Sequence, residues 1–187
     1  MKPHGPWKIK STEDVYSDPY VDLTLDQVVR PDGKDGQHVV VNLKPGVCVL
    51  AIDHDSEGRP QVHLTKEFHY GIGRDSLEGV SGGIEAGEGA DLSAKRELEE
   101  ELGLRAEHWQ YLTSVDPFTT VVVSPTRLYI ATGLTETETN PEGTELIEHV
   151  VMLLDEAVDF VSQGKITHAP TCVALLMAEK MFGQKRD

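Results

Sequence analysis

The chain has 187 residues, 39% of them hydrophobic and 26% charged, with a formal charge of −15. That length supports one well-buried core with room for a small accessory unit, in the composition range of soluble globular proteins. So strong a negative balance argues against a nucleic-acid backbone as the main partner: DNA is excluded as an expectation and long RNA disfavoured.

The opening MKPHGPWKIKST lacks the apolar core of a signal peptide, and no later run reaches membrane-spanning length. A cytoplasmic protein without a membrane partner is the expectation. Residues 7–44 carry β-rich pieces, among them VDLTLDQVV (21–29) and HVVVNL (38–43), separated by the turn-like RPDGKDG. They predict an antiparallel N-terminal unit over residues 1–44, followed by the main domain over 45–187. From Gly46, VCVLAIDHD, SEGRP and QVHLTKEF predict a hairpin whose turn holds Asp55, Ser56, Gly58 and Pro60. Cys48 lies in the apolar run GVCVLAI and reads as buried packing; Cys172 shares no CxxC spacing with it.

The segment YGIGRDS predicts a loop leading into LEGVSGG, a glycine-rich turn and a helix. WQYLTSV (109–115) and TRLYIATGL (126–134) predict strands, with DPFTTVVVSP between them as a substrate loop or a strand extension. TETETNPEGTE is polar and loop-like. ELIEHVVMLL predicts a strand entering the helix DEAVDFVSQG, and a final helix spans about 169–182. Mixed strands with one helix after the glycine loop and helices at the end imply an α/β sandwich.

The richest segment is Gly82 to Leu104, GGIEAGEGADLSAKRELEEELGL. Glu97, Glu100 and Glu101 stand at i, i+3 and i+4, so about one helical turn carries three carboxylates. Such a cluster repels itself unless a divalent cation is ligated, and Mg²⁺ or Mn²⁺ favours these hard oxygens. Ala94, Leu98 and Leu102 form the packing stripe of the same helix. Asp91 or Ser93 can cap its start, and Gly103 fits a left-handed cap at its end. Arg96, four residues before Glu100, is within reach to orient it.

Written out, Gly82, five residues, Glu88, seven residues, Arg96-Glu97-Leu98, one residue, Glu100-Glu101, one residue and Gly103-Leu104 reproduce a known signature. In it the chain resembles the Nudix hydrolases. The element order, the approach LEGVSGGIEAGE and the tail GKITHAPTCVALLMA resemble the branch that hydrolyses ADP-ribose and nucleotide sugars.

The resemblance implies the Nudix fold, an α/β/α sandwich with a mixed sheet, and an N-terminal β unit exchanged within a homodimer. It implies cleavage within the pyrophosphate of a nucleoside diphosphate joined to another moiety, giving a nucleoside monophosphate and a sugar phosphate. Metal ligands would be Glu97, Glu100, Glu101 and the Ser81 carbonyl, with Mg²⁺, or Mn²⁺ in its place, as cofactor. Arg96, Glu100 and Glu101 would serve catalysis, while Glu88 would hold the loop–helix junction.

The general base stays open between Glu100 or Glu101 and a later acidic loop with Glu142 and Glu145. Ser124 stands where the branch usually carries a loop glutamate, and Pro117 is followed by Phe118-Thr119-Thr120 in place of the branch's turn. Upstream, Glu67-Phe68-His69-Tyr70 replaces the branch's Gln-aromatic pair and arginine. Tyr70, Arg74, Glu78 and His69 are the expected substrate contacts, through stacking, charge and hydrogen bonding. Two other readings are weighed: a Nudix enzyme for nucleoside triphosphates, dinucleoside polyphosphates or RNA 5′ ends, and a silent domain that senses a nucleotide.

Overall fold

The computed structural model describes residues 1–138 and 146–183. Its chain divides into two compact units, one of Met1–Pro45 with Asp116–Pro125 and one of Gly46–Val115 with Thr126–Asp187.

The first unit is a single five-stranded sheet. Strands β1 (Lys2–His4), β2 (Trp7–Ser17), β3 (Val21–Val29) and β4 (Asp35–Leu43) run antiparallel in chain order. The turn between β3 and β4 needs Gly33, whose φ of 82° suits a residue without Cβ. A fifth strand, β10 (Val122–Val123), comes from the distant segment and pairs parallel with β4, Val122 opposite Val41. The DPFTTVVVSP segment therefore supplies this sheet. Only Val28 is a buried hydrophobic among the described residues of this unit.

The second unit is built on β5 (Gly46–His54), β6 (Pro60–His69), β7 (Arg74–Glu78), β8 (Val80–Gly83), β9 (Leu104–Val115), β11 (Thr126–Glu136) and β12 (Glu148–Leu153). The order is β12-β6-β5-β11-β9, with β7 on β6 and β8 on β5; β11 runs parallel to β5 and the other pairs are antiparallel. The β5–β6 hairpin is as expected, and Asp55 closes its turn by accepting from the amides of Glu57 and Arg59.

Alternation along β5 explains why its sequence is apolar throughout: both faces are covered. Cys48, Leu50 and Ile52 face α2 (Leu154–Ser162) and α3 (Ala169–Phe182), joining Leu154, Ala157, Ala174 and Leu175 in one cluster. Val47, Val49 and Ala51 face the other way, onto Ala94, Leu98 and Leu102 of α1 (Ala90–Leu102). The result is an α/β/α sandwich with a mixed sheet. None of the described helices is long and apolar enough to cross a membrane.

Two local expectations are corrected. Arg74-Asp75-Ser76, expected in a loop, begins strand β7, because its backbone completes a ladder with Glu67, Phe68 and His69. The α1 N-cap is Gly89 and carries no side-chain bond; Asp91 instead accepts from the Tyr129 hydroxyl at 2.7 Å, and Ser93 donates to Glu88. Gly103 does close the helix in the left-handed conformation, with φ 60° and ψ 38°.

Candidate active site

Strand β8 lies beside β5, Ser81 opposite Cys48 and Gly82 opposite Val47. Helix α1 packs on the same face, so the β8 backbone and the glutamate side of α1 meet. Gly82 is required by space rather than by torsion. A Cβ there would stand 2.0 Å from the Glu97 carboxyl carbon, so Glu97 occupies the room that any side chain would fill.

Arg96 ties the carboxylates together. Its Nη1 lies 2.8 Å from Glu100 and 2.9 Å from Glu97, and its Nη2 reaches Glu88 at 3.2 Å and the Gly83 carbonyl at 3.2 Å. Burial alone would lower the Arg96 pKa, but the bonds to Glu88 and Glu100 and the charge of Glu97 outweigh it and hold the guanidinium well above its ordinary range. Glu88 also accepts from the Ser93 hydroxyl at 2.6 Å and the Glu85 amide at 3.4 Å. Its pKa is held low, first by the bond from Arg96 and then by Ser93. Glu88 thus fastens the glycine loop to the first turns of α1.

A second polar group stands behind β8. Glu78 is bracketed by His69 Nε2 at 3.2 Å and His168 Nδ1 at 3.0 Å, with only 12% of its side chain exposed. Thr171, fully buried, accepts from the Gly79 amide at 2.8 Å and touches His168 at 2.9 Å and Cys48 Sγ at 3.7 Å. Burial lowers the His168 pKa against the pull of Glu78. It raises the Cys48 thiol to about 11, with Glu78 and Glu101 adding to the rise and bonds to Ser81 and Thr171 opposing it. Cys48 is therefore a packed, inert thiol between the two groups, and both cysteines are free.

Of the expected substrate contacts, the structure brings Glu78 and His69 together. Arg74 donates to Thr167 at 3.0 Å, one residue from His168. Tyr70 is 95% exposed and joins none of these groups. Glu142 and Glu145 lie outside the described residues. Sequence reasoning missed His168 and Thr171. Their signal was a His and a Thr at i and i+3 opening a helix started by proline, but nothing local says that Glu78 is their partner.

The donor set suits a hard divalent cation. Carboxylates of Glu97, Glu100 and Glu101 belong to one turn, and Glu97 presses on the β8 backbone next to Ser81. Among the described residues no three His, Cys, Asp or Glu side chains form a ready-made metal cluster, and Arg96 is the cation that sits between Glu97 and Glu100.

Comparison with known proteins adds independent findings. The NUDIX domain profile matches residues 43–171, and that of the nucleoside diphosphate sugar hydrolase N-terminal domain matches residues 7–41. An ADP-ribose pyrophosphatase of Bacillus subtilis (strain 168) is 27% identical over 183 residues, covering 95% of this chain and 97% of that protein. A methanol dehydrogenase activator of Bacillus methanolicus is 28% identical over 171 residues, 90% of each. An ADP-ribose pyrophosphatase of Mycobacterium tuberculosis is 35% identical over 127 residues, 67% of this chain and 59% of that one. The crystal structure of an ADP compounds hydrolase superposes with a TM-score of 0.78 over all of both chains at 20% identity, which speaks to the fold.

Proposed function

The chain belongs to the Nudix hydrolase family, a pyrophosphohydrolase related to ADP-ribose pyrophosphatases, and from that premise we propose that it cleaves ADP-ribose or a nucleotide sugar. Water attacks one phosphorus of the pyrophosphate, the bridging P–O bond breaks, and a nucleoside monophosphate and a sugar phosphate leave. The observation that carries the reading is the Glu97 carboxylate seated against Gly82 while Arg96 spans Glu88, Glu97 and Glu100. The match of residues 7–41 to a nucleoside diphosphate sugar hydrolase domain and the names of the relatives support the substrate class.

Enzymes of this family generally use divalent metals, and here Glu97, Glu100, Glu101 and the Ser81 carbonyl would hold Mg²⁺, or Mn²⁺ in its place. Bound there, the ion would neutralise phosphate oxygens and lower the pKa of a water. Arg96, in contact with both, aims Glu100 and Glu97. Glu100 or Glu101, or else Glu142 or Glu145 of the later acidic loop, takes the proton of the attacking water. Glu78, with His69 and His168 beside it, holds a polar part of the substrate, and Arg74 and Tyr70 add charge and a stacking surface.

We further take the active form as a homodimer. Unit 1 is one sheet with a single buried hydrophobic among its described residues, and Val15, Tyr16, Val39 and Val123 are exposed on it. So thin a sheet gains little from burial, and a second copy is the occupant that the resemblance implies.

Incubating the protein with Mg²⁺ and a panel of ADP-ribose and ADP-, GDP- and UDP-sugars tests the reading. Release of monophosphate and sugar phosphate is the expected result. Turnover confined to nucleoside triphosphates, dinucleoside polyphosphates or RNA 5′ ends would replace it with the alternative substrate class. Loss of turnover in Glu101→Gln with nucleotide binding retained is expected of a catalyst; an unchanged rate removes the role given to Glu101.

A further inference from the structure

At the other end of the β5–β6 hairpin lies a group that the hydrolytic site does not use. The first half of β5, Gly46 to Val49, pairs with β8, whereas Ala51 to His54 pair with β6. On this second half Asp53, His63 of β6 and His149 of the neighbouring edge strand β12 come together across three strands. His63 Nδ1 lies 2.9 Å from His149 Nε2, the two rings 5.1 Å apart and tilted by 33°. On the opposite side of the His63 ring, Nε2 lies 3.2 Å from Asp53 Oδ2.

The His63 side chain is only 10% exposed; its Nε2 faces the Asp53 carboxylate as an ion-pair contact without an aligned hydrogen bond, and Asp53 Oδ1 is buried unpaired.

The geometry points to a binding site for an imidazole-preferring divalent transition ion, held by His63 Nδ1 and His149 Nε2 and backed by Asp53. The argument begins with the proton. A carboxylate beside His63 Nε2 favours the tautomer with hydrogen on that atom and leaves Nδ1 with its lone pair toward His149. His149 is exposed at the edge, so its own proton can reside on the solvent side, at Nδ1. Two neutral imidazole lone pairs then converge, and an ion can stand where a shared proton otherwise sits. No proton need be lost from the pair, because the His149 proton only exchanges between its two nitrogens through water.

Nitrogens about 2.0–2.1 Å from a tetrahedral zinc lie roughly 3.3 Å apart. The observed 2.9 Å is short of that by an amount that the exposed His149 can supply by a small swing. Asp53 on the far nitrogen of His63 is the carboxylate–histidine–metal arrangement that orients a ligating ring and raises its basicity. Two nitrogens exclude Mg²⁺ and favour zinc or copper, with copper bound more tightly. Water would complete the coordination on the exposed side. With two direct protein ligands, the site differs from a cluster of three or more. An ion here would clip edge strand β12 to β6, and the acidic balance of the chain would raise the local cation concentration.

The test titrates full-length chain with Zn²⁺ by calorimetry in a large excess of Mg²⁺, which occupies carboxylate sites without competing for imidazole. Wild type is expected to take up one Zn²⁺ more than His149→Gln, a substitution at an exposed position that leaves the core intact. Zn²⁺ should raise the melting temperature of the wild type and leave that of the variant unmoved. With Cu²⁺, electron paramagnetic resonance should show coupling to two nitrogens in the wild type, reduced in the variant. Asp53→Asn is expected to weaken Zn²⁺ binding by about 10- to 100-fold. Equal zinc uptake by wild type and His149→Gln would overturn the site, and equal affinity in Asp53→Asn would overturn the part given to Asp53.

Discussion

At Gly82, where a Cβ would fall on the Glu97 carboxylate, the proposed function and the stability of the fold make separate predictions. The nearest atoms that a methyl on Gly82 would meet belong to the far end of the Glu97 side chain, which can swing away. Gly82→Ala is therefore expected to fold with a melting temperature close to that of the wild type while losing at least about tenfold in kcat, the cost of a misplaced group. Normal activity in a folded Gly82→Ala protein would show that the Glu97 seat does not matter. Glu88 makes a different prediction, set by pH. Its pKa is lowered from 4.5, chiefly by the bond from Arg96 and next by Ser93, so the stabilisation is complete above that value and lost as pH falls through the lower folded one. Denaturant unfolding of wild type and Glu88→Gln should accordingly differ near neutrality and converge in acid; a gap that persists below the folded value contradicts this account. The carboxylate turn and its arginine were legible in the sequence because i, i+3 and i+4 spacing is enough to place them together. That Asp91 would turn to Tyr129 and leave the cap to Gly89 was not legible, since the partner comes from a strand 38 residues away.

Between elements, the decisive joint is where α3 meets the β7–β8 corner. Thr171 accepts from the Gly79 amide and stands against both His168 and Cys48, so one hydroxyl links the helix, the corner and the core strand β5. Gly79 has no room for a side chain, since a Cβ would lie 2.9 Å from the Val49 carbonyl oxygen. Thr171→Val keeps shape and removes the acceptor, leaving the buried Gly79 amide unpaired; unfolding free energy is expected to drop by about 1–3 kcal/mol. An undiminished value in chemical denaturation would mean that water replaces the hydroxyl. Strand β5, the last helix and the hairpin were all readable as elements, because apolar runs and turn residues are local signals. Strand β7 was not: GRDS reads as a turn, and only the free ladder of β6 makes it a strand.

Across the chain, both apolar clusters draw only on residues from Val47 to Phe182, whereas unit 1 contributes Val28 alone to the buried hydrophobics among the described residues. A chain lacking residues 1–45 is thus expected to keep a cooperative calorimetric transition, although Val122 and Val123 lose β4 as their partner. On the proposed reading it should elute as a monomer in light scattering, while the intact protein elutes as a dimer. A monomeric intact protein, or a truncated chain that melts without cooperativity, would refute one or the other statement.

Fold class, the carboxylate-bearing helix and membership of a pyrophosphohydrolase family could be read from the residues, because each rests on periodicity or on a motif with fixed gaps. The cross-strand groups could not. His69 with Glu78 and His168, Asp53 with His63 and His149, and Val122 with Val41 join positions far apart in sequence. Their meeting depends on sheet register and helix docking, which no local pattern encodes.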